Sequence, residues 1–121
     1  MATRRRAYFM PDVAMDLDPA VQSALRELMQ DDYPLLLDTF VQDGEKRLAT
    51  LASSLQQQQW DAFRQAAHSF KGSCGNMGAE ALQHACERAE QAGLQHDAEL
   101  ASQCYEEIRQ LFQRVQLHLA R

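Results

Sequence analysis

The residues with the clearest chemical potential lie near the middle of the sequence, where His68 is followed three residues later by Lys71. A neutral imidazole is nucleophilic near pH 7 and can accept a phosphoryl group. Residues three apart on a helix share its surface, so the ammonium of Lys71 would stand near the incoming phosphoryl oxygens. The pair predicts phosphoryl acceptance on His68 with electrostatic support from Lys71. Taken alone, the same pair also fits an ordinary surface histidine beside a solvated lysine.

An apolar stripe places this histidine on the outer side of a predicted helix. The stripe advances in steps of three and four residues and consists of Trp60, Phe63, Ala67, Phe70, Cys74 and Met77. At about 100° per residue, His68 points roughly 130° away from the centre of the stripe and faces solvent.

Four residues share the side of His68 or border it and form the predicted partner-binding set, namely Arg64, Gln65, Gly72 and Gly75. A glycine inside an exposed helix costs about 1 kcal/mol relative to alanine, so two of them on this face need a reason. We interpret them as space for the close approach of another macromolecule, and the alternative is close packing of helices within the protein. Apolar residues off the core stripes, such as Leu36, are further candidates for partner contact.

Helix-forming residues dominate the chain, and no stretch alternates as a strand would. The predicted helices cover about 18–31, 34–57, 60–77, 79–92 and 97–119. Short connections between long helices favour an all-α, antiparallel up-down four-helix bundle with an additional short N-terminal helix. Residues 1–17 are predicted to be an N-terminal arm and residues 18–121 the bundle domain. Gly78 is expected to break the third helix and Gly93 to end the fourth.

Composition excludes several classes of function. The 121 residues fit one domain, and the net charge of -5 argues against nucleic acid as the main partner. No apolar run approaches the roughly 20 residues that a membrane span needs. Three cysteines match no zinc or redox spacing and fit reduced thiols. We therefore expect a cytoplasmic monomer.

Metal chemistry is not indicated by the remaining histidines. His84, His96 and His118 each lack a glutamate three residues earlier, which a metal-holding helical bundle would use. Phosphate-cradling glycine loops of the GxxxxGK and GxGxxG kinds are also missing from the sequence. We expect no cofactor and no metal in this chain.

The segment from His68 to Gly78 resembles the signature of histidine-containing phosphotransfer (HPt) domains. In that family the pattern is His-x-aliphatic-Lys-Gly-small-small-x-x-apolar-Gly, and Phe70 is the one mild departure from it. Downstream, four residues also resemble the fourth helix of the family, namely Leu82, Cys86, Glu90 and Ala92. Glu90 occupies a position where some relatives offer the histidine a neutral partner.

The resemblance implies that His68 takes a phosphoryl group from the aspartate of one receiver domain and hands it to another. The partners would be the receiver domains of a hybrid sensor kinase and of a response regulator, with Mg²⁺ held by the receiver. The chain would bind no ATP and would not phosphorylate itself. A freestanding intermediate is favoured over a fragment of a larger kinase. The alternative function is an adaptor that binds receivers without transfer, which the presence of both His68 and Lys71 disfavours.

Overall fold

The computed structural model describes residues 14–120, and this part of the chain is entirely helical apart from its turns and its two ends. The helices are α1 (Pro19–Met29), α2 (Tyr33–Gln56), α3 (Trp60–Met77), α4 (Glu80–Leu94) and α5 (Ala98–Leu119), with a 3₁₀ turn at Gln30–Asp32 between α1 and α2. Connections of two or three residues join α2 to α5 in order, so successive helices run antiparallel. Each of these four packs on its neighbours in sequence, and α2 also packs on α5, which closes the bundle. The predicted all-α four-helix bundle with an added N-terminal helix is confirmed.

Side chains and backbone conformation fix the helix ends. The Asp18 carboxylate accepts a hydrogen bond from the Ala20 N–H at 2.9 Å, and Pro19 supplies the preset φ of a first helical residue. Gly78 ends α3 in the left-handed region at φ +77°, where a side chain would be strained. The predicted start of α1 and the predicted break after α3 therefore both occur.

Gly93 has a different role from the one predicted. Helix α4 continues through it to Leu94, and the turn that follows uses His96 at φ +54°. A Cβ on Gly93 would lie 3.2 Å from the Cα of Arg64, so the missing side chain lets α4 approach the backbone of α3. Glycine is favoured just after the end of a helix, and the sequence pattern therefore resembled a helix end. At position 93, however, glycine is required by the close packing of α4 on α3.

The core is centred on three phenylalanines from different helices. The rings of Phe70 and Phe112 lie 5.8 Å apart edge to face, and Phe40 contacts both at 6.0 to 6.5 Å. Phe112, on α5, fills the space left by Gly44, where a Cβ would overlap its ring. Because Phe70 is completely buried, α3 is held in a fixed rotation about its axis.

Residues 14–18, the described part of the chain before α1, are attached to the bundle. Of the predicted arm, residues 1–13 lie outside the described residues. The Ala81 N–H donates to the Met15 carbonyl at 2.9 Å, and Arg114 donates two hydrogen bonds to the Asp16 carboxylate at 2.7 and 3.1 Å. Within the described helices, none is long and apolar enough to cross a membrane.

Candidate functional site

His68 projects from the outer face of α3. Its side chain is 61% exposed, whereas Ala67 and Phe70 on the inner face are completely buried. The apolar stripe predicted for α3 is therefore the side that anchors the helix, and the imidazole is open to a reaction partner. Exposure of the acceptor is a requirement for transfer between two proteins, because the donor must approach the ring in line.

A carboxylate from the neighbouring helix contacts the imidazole. Glu90 on α4 places Oε2 2.9 Å from Nδ1 of His68 and Oε1 2.8 Å from Nζ of Lys71. The Glu90 side chain is only 12% exposed, and its Oε1 atom is shielded from solvent. These three residues form a cluster across the α3–α4 interface, which we call the His68–Glu90–Lys71 cluster.

The charges of this cluster reinforce one another. Burial alone would raise the pKa of the Glu90 carboxyl, but hydrogen bonds from Lys71 and His68 outweigh that effect and hold this pKa below its ordinary value. The hydrogen bond with Glu90 raises the pKa of Lys71 in turn. At neutral pH the cluster therefore contains an ionised carboxylate and an ammonium.

The ionised state of Glu90 determines which nitrogen of His68 carries the proton. A carboxylate without a proton can only accept hydrogen bonds, so the atom that contacts it, Nδ1, must be the donor. A neutral imidazole protonated on Nδ1 keeps its lone pair on Nε2. In this state of the cluster, Nε2 is the ring nitrogen with a free lone pair.

The two glycines near His68 differ in their surroundings. A Cβ built on Gly72 meets no atom within 4 Å, so this position is open. A Cβ on Gly75 would lie 2.9 Å from Nε2 of Gln83, because the side chain of Gln83 reaches across from α4. Gly72 fits the predicted clearance for a partner, whereas Gly75 also has an internal packing reason.

The other predicted contact residues lie one turn before His68. Arg64 and Gln65 both bind the carboxylate of Asp61, each at 3.0 Å, and so form a polar group within α3. Arg64 is 29% exposed, and its backbone lies against Gly93 of α4. The structure places both residues on the helix that carries His68, and their contact with a partner stays a prediction.

Glu90 was not among the predicted site residues, although its position in the fourth helix of the family was recognised. A contact between helices depends on their relative register, which periodicity within one helix does not supply. The available signal was a carboxylate at a position where some relatives offer the histidine a neutral partner.

Other reactive groups in the described part of the chain form no second site. No group of three or more His, Cys, Asp or Glu side chains between residues 14 and 120 could hold a metal ion. The three cysteines are free and buried. A hydrogen bond with Cys86, together with burial, raises the pKa of the Cys74 thiol, so this sulfur is a poor nucleophile.

The chain is similar to known histidine-containing phosphotransfer proteins. Residues 35–118 match the family model described as the Hpt domain. The crystal structure of histidine-containing phosphotransfer protein B (HptB) from Pseudomonas aeruginosa PAO1 is similar, with 40% identity, a TM-score of 0.83, and coverage of 87% of this chain and 91% of that one. MtHPt2 from Medicago truncatula shares the fold, with 23% identity, a TM-score of 0.76, and coverage of 95% and 80%.

A search among curated protein sequences gave no match. The family model covers more than half of the chain, and the similarity to HptB extends over most of both proteins. The chain therefore belongs to the Hpt domain family and is a histidine phosphotransfer protein of two-component signalling.

Proposed function

We propose that His68 accepts a phosphoryl group from the aspartyl phosphate of one receiver domain and passes it to the aspartate of another. The observation that carries the proposal is the exposed imidazole whose Nδ1 is held by Glu90 at 2.9 Å, beside the open surface at Gly72. An exposed nucleophile with a fixed tautomer and cleared space next to it suits transfer between macromolecules better than chemistry on a small molecule in a cavity.

The transfer step follows from the state of the cluster. The lone pair of His68 Nε2 attacks the phosphorus of the donor, and the bond from phosphorus to the aspartate oxygen breaks, leaving its electron pair on that carboxylate. Lys71 holds a positive charge one turn from His68, where it would offset the charge of the phosphoryl oxygens. Mg²⁺ and further carboxylates are expected on the receiver domain.

A shallow groove beside Gly72 supports docking of a partner on this face. It encloses about 240 Å³ between α1, α2 and α3. Its lining residues are Leu25, Leu36, Thr39, Phe40, Asp43, Ser73, Asn76 and Met77. Ser73 follows Gly72 directly, so the groove lies next to the predicted clearance, and the half-buried Leu36 is the apolar contact candidate named from the sequence. Arg64, Gln65 and Gly75 extend the proposed contact surface along α3.

The relevant partners are, in this proposal, the receiver domain of a hybrid sensor kinase and that of a response regulator. HptB is named as a histidine-containing phosphotransfer protein. Because this chain is 40% identical to HptB, we propose the same activity for it. We further propose that the chain works as a cytoplasmic monomer between these partners.

The alternative function is an adaptor that binds receivers without transfer. The intact His68–Glu90–Lys71 cluster favours transfer, because an adaptor has no need of a prepared nucleophile.

The test is phosphotransfer from a receiver domain phosphorylated on its aspartate. Wild type, His68→Gln and His84→Gln are compared, since His84 is another exposed histidine, on α4. We expect acid-labile label on wild type and on His84→Gln and none on His68→Gln. The His68→Gln chain should remain folded, because a polar exchange at an exposed site changes stability by about 0.5 kcal/mol or less.

Two outcomes would contradict relay through His68. Label retained on His68→Gln would move the acceptor elsewhere. Binding to receivers with no label on wild type, across a panel of phosphorylated receivers, would support the adaptor instead.

A further inference from the structure

We propose that Arg47 is a specificity-determining residue of the receiver interface, which leaves Asp43 when a receiver docks and pairs with a carboxylate at the rim of the receiver's phosphorylation site. This inference rests on the proposed function and goes beyond it, because it assigns a charged contact to α2, on the side of His68 that faces away from Lys71. Its basis is the position, the exposure and the incomplete pairing of one guanidinium.

Arg47 lies on the flank of α2 that faces α3. Its neighbours along this flank are Asp43, four residues earlier, and Thr50, three residues later. Asp43 lines the shallow groove that Ser73 of α3 also lines, whereas Thr50 lines a second depression together with Ala62 of α3. Because α2 and α3 are antiparallel neighbours, Arg47 falls opposite the segment of α3 between Ala62 and Ser73.

His68 lies in the middle of that segment, with a positive charge on each side. Lys71 contacts Glu90 of α4 at 2.8 Å and so stands on the α4 side of the imidazole, whereas Arg47 stands on the α2 side. Ser69 follows His68 on the flank that faces α2, and its small side chain is exposed. A partner that covers His68 would therefore also come close to Arg47.

The guanidinium of Arg47 is incompletely paired. Its Nε lies 3.6 Å from Oδ2 of Asp43, which is beyond hydrogen-bond distance, and this Nε has no hydrogen-bond partner within residues 14–120. The side chains of Arg47 and Asp43 are 37% and 39% exposed, and an i,i+4 ion pair with that exposure stabilises a helix only weakly. Arg47 can therefore leave Asp43 readily when a better-placed carboxylate arrives.

A receiver domain supplies carboxylates at this face. In the proposed reaction its reacting group is an aspartate or an aspartyl phosphate, and further carboxylates are expected beside it. A docked receiver displaces water, which strengthens the attraction between a guanidinium and a carboxylate, and the planar fork of arginine fits a carboxylate with two hydrogen bonds. A receiver without a carboxylate at this position would leave Arg47 unpaired in the interface, so the same residue disfavours the wrong partner.

The first experiment measures the Kd of a receiver domain for wild type, Arg47→Gln and the control Lys46→Gln. Lys46 is exposed and stands about 100° around α2 from Arg47, so its variant removes the same charge from a different direction. We expect Arg47→Gln to raise the Kd about five- to tenfold and to weaken its salt dependence, and Lys46→Gln to change the Kd less than about twofold. An unchanged Kd for Arg47→Gln would refute the proposal.

The second experiment separates contact with a partner from a structural role of the ion pair. If Arg47 and Asp43 together only maintained the surface of α2, Asp43→Asn would weaken binding as much as Arg47→Gln does. In the proposal Asp43→Asn releases Arg47, so the Kd should stay equal or fall. Phosphorylation of His68 by the small donor phosphoramidate should proceed at the wild-type rate in Arg47→Gln, and slower labelling would overturn the proposal because Arg47 would then act on His68 itself.

The third experiment identifies the carboxylate on the partner. Arg47→Glu should bind the receiver more weakly than Arg47→Gln, and changing one acidic residue at the rim of the receiver's phosphorylation site to lysine should restore binding. Failure of every such change to restore binding would refute a carboxylate partner. A receiver that exchanges phosphate with wild type but binds Arg47→Gln equally well would refute this inference alone, whereas a receiver whose binding depends on Arg47 without any transfer would refute the relay alone.

Discussion

Two carboxylates in this bundle, Glu90 and Asp16, each contact one histidine and one basic side chain, but they orient the histidines differently. Glu90, 12% exposed, contacts His68, and Asp16, 19% exposed, contacts His118. The histidines present opposite nitrogens, because His68 uses Nδ1 at 2.9 Å whereas His118 uses Nε2 at 3.4 Å. Only the first arrangement leaves Nε2 directed away from the carboxylate and ready to attack an electrophile.

The basic residues that contact the two carboxylates also bind them in different ways. Lys71 contacts Glu90 through a single ammonium, next to the proposed acceptor. Arg114 binds Asp16 through two parallel hydrogen bonds at 2.7 and 3.1 Å, a geometry suited to fixing one chain segment on another. We infer that Asp16, through Arg114 and His118, attaches the residues before α1 to α5. The His68–Glu90–Lys71 cluster instead prepares a nucleophile. Residue types alone therefore do not identify the site.

The largest expected contrast concerns the two basic side chains. Lys71→Met should slow phosphotransfer about a hundredfold, because a positioned positive charge near the transferring phosphoryl group is lost. Arg114→Met should leave the transfer rate unchanged. Single-turnover transfer from a phosphorylated receiver measures both, with circular dichroism to confirm folding. An equal loss of rate in the two variants would erase the functional distinction between the clusters.

A second contrast concerns the surface beside the acceptor. Gly72→Gln should weaken receiver binding about tenfold, which corresponds to about 1.4 kcal/mol, because the new side chain occupies the open approach. Stability should stay equal or rise by up to about 1 kcal/mol, since glutamine is the better helix former. Titration calorimetry with a receiver domain and thermal unfolding measure the two effects. Undiminished binding would show that partners do not approach over Gly72.

The attachment of the N-terminal segment provides a smaller effect. Asp16→Ala should lower the free energy of unfolding by about 1 kcal/mol, because a two-point hydrogen-bonded ion pair with Arg114 is lost at a partly exposed site. Transfer should not change, since Asp16 pairs with Arg114 and His118 on α5, whereas the His68–Glu90–Lys71 cluster lies on α3 and α4. Urea unfolding gives the first quantity. A loss of transfer without a loss of stability would mean that the segment before α1 takes part in function.

Much of the fold follows from patterns within single helices. The apolar stripe of α3 correctly separates Phe70, fully buried, from His68, which is exposed, because both positions depend only on the helical repeat. The Asp18–Pro19 start and the Gly78 end are likewise local, determined by one side chain or one backbone conformation.

What could not be predicted depends on how helices meet. The contact between Glu90 and His68 requires the register of α4 on α3, and so does the packing of Gly93 against Arg64. The difference between Gly72, which is open, and Gly75, which lies under Gln83, has the same origin. Sequence periodicity assigns a residue to a face, whereas the neighbour across that face is determined by tertiary packing.

The smallest expected effect is a pH dependence of stability carried by Glu90. Hydrogen bonds from Lys71 and His68 lower the pKa of this carboxyl in the folded chain relative to the unfolded one. The resulting stabilisation is present above the unfolded value, about 4.3, and is lost as the pH falls through the folded value. The raised pKa of Lys71 adds no slope here, since its contribution is lost only in strongly alkaline solution. Glu90→Gln should therefore unfold more easily than wild type at neutral pH, and the difference should narrow below about pH 4. Urea unfolding of both chains between about pH 7 and pH 3 measures it, and a constant difference would indicate that the carboxylate gains nothing from its partners.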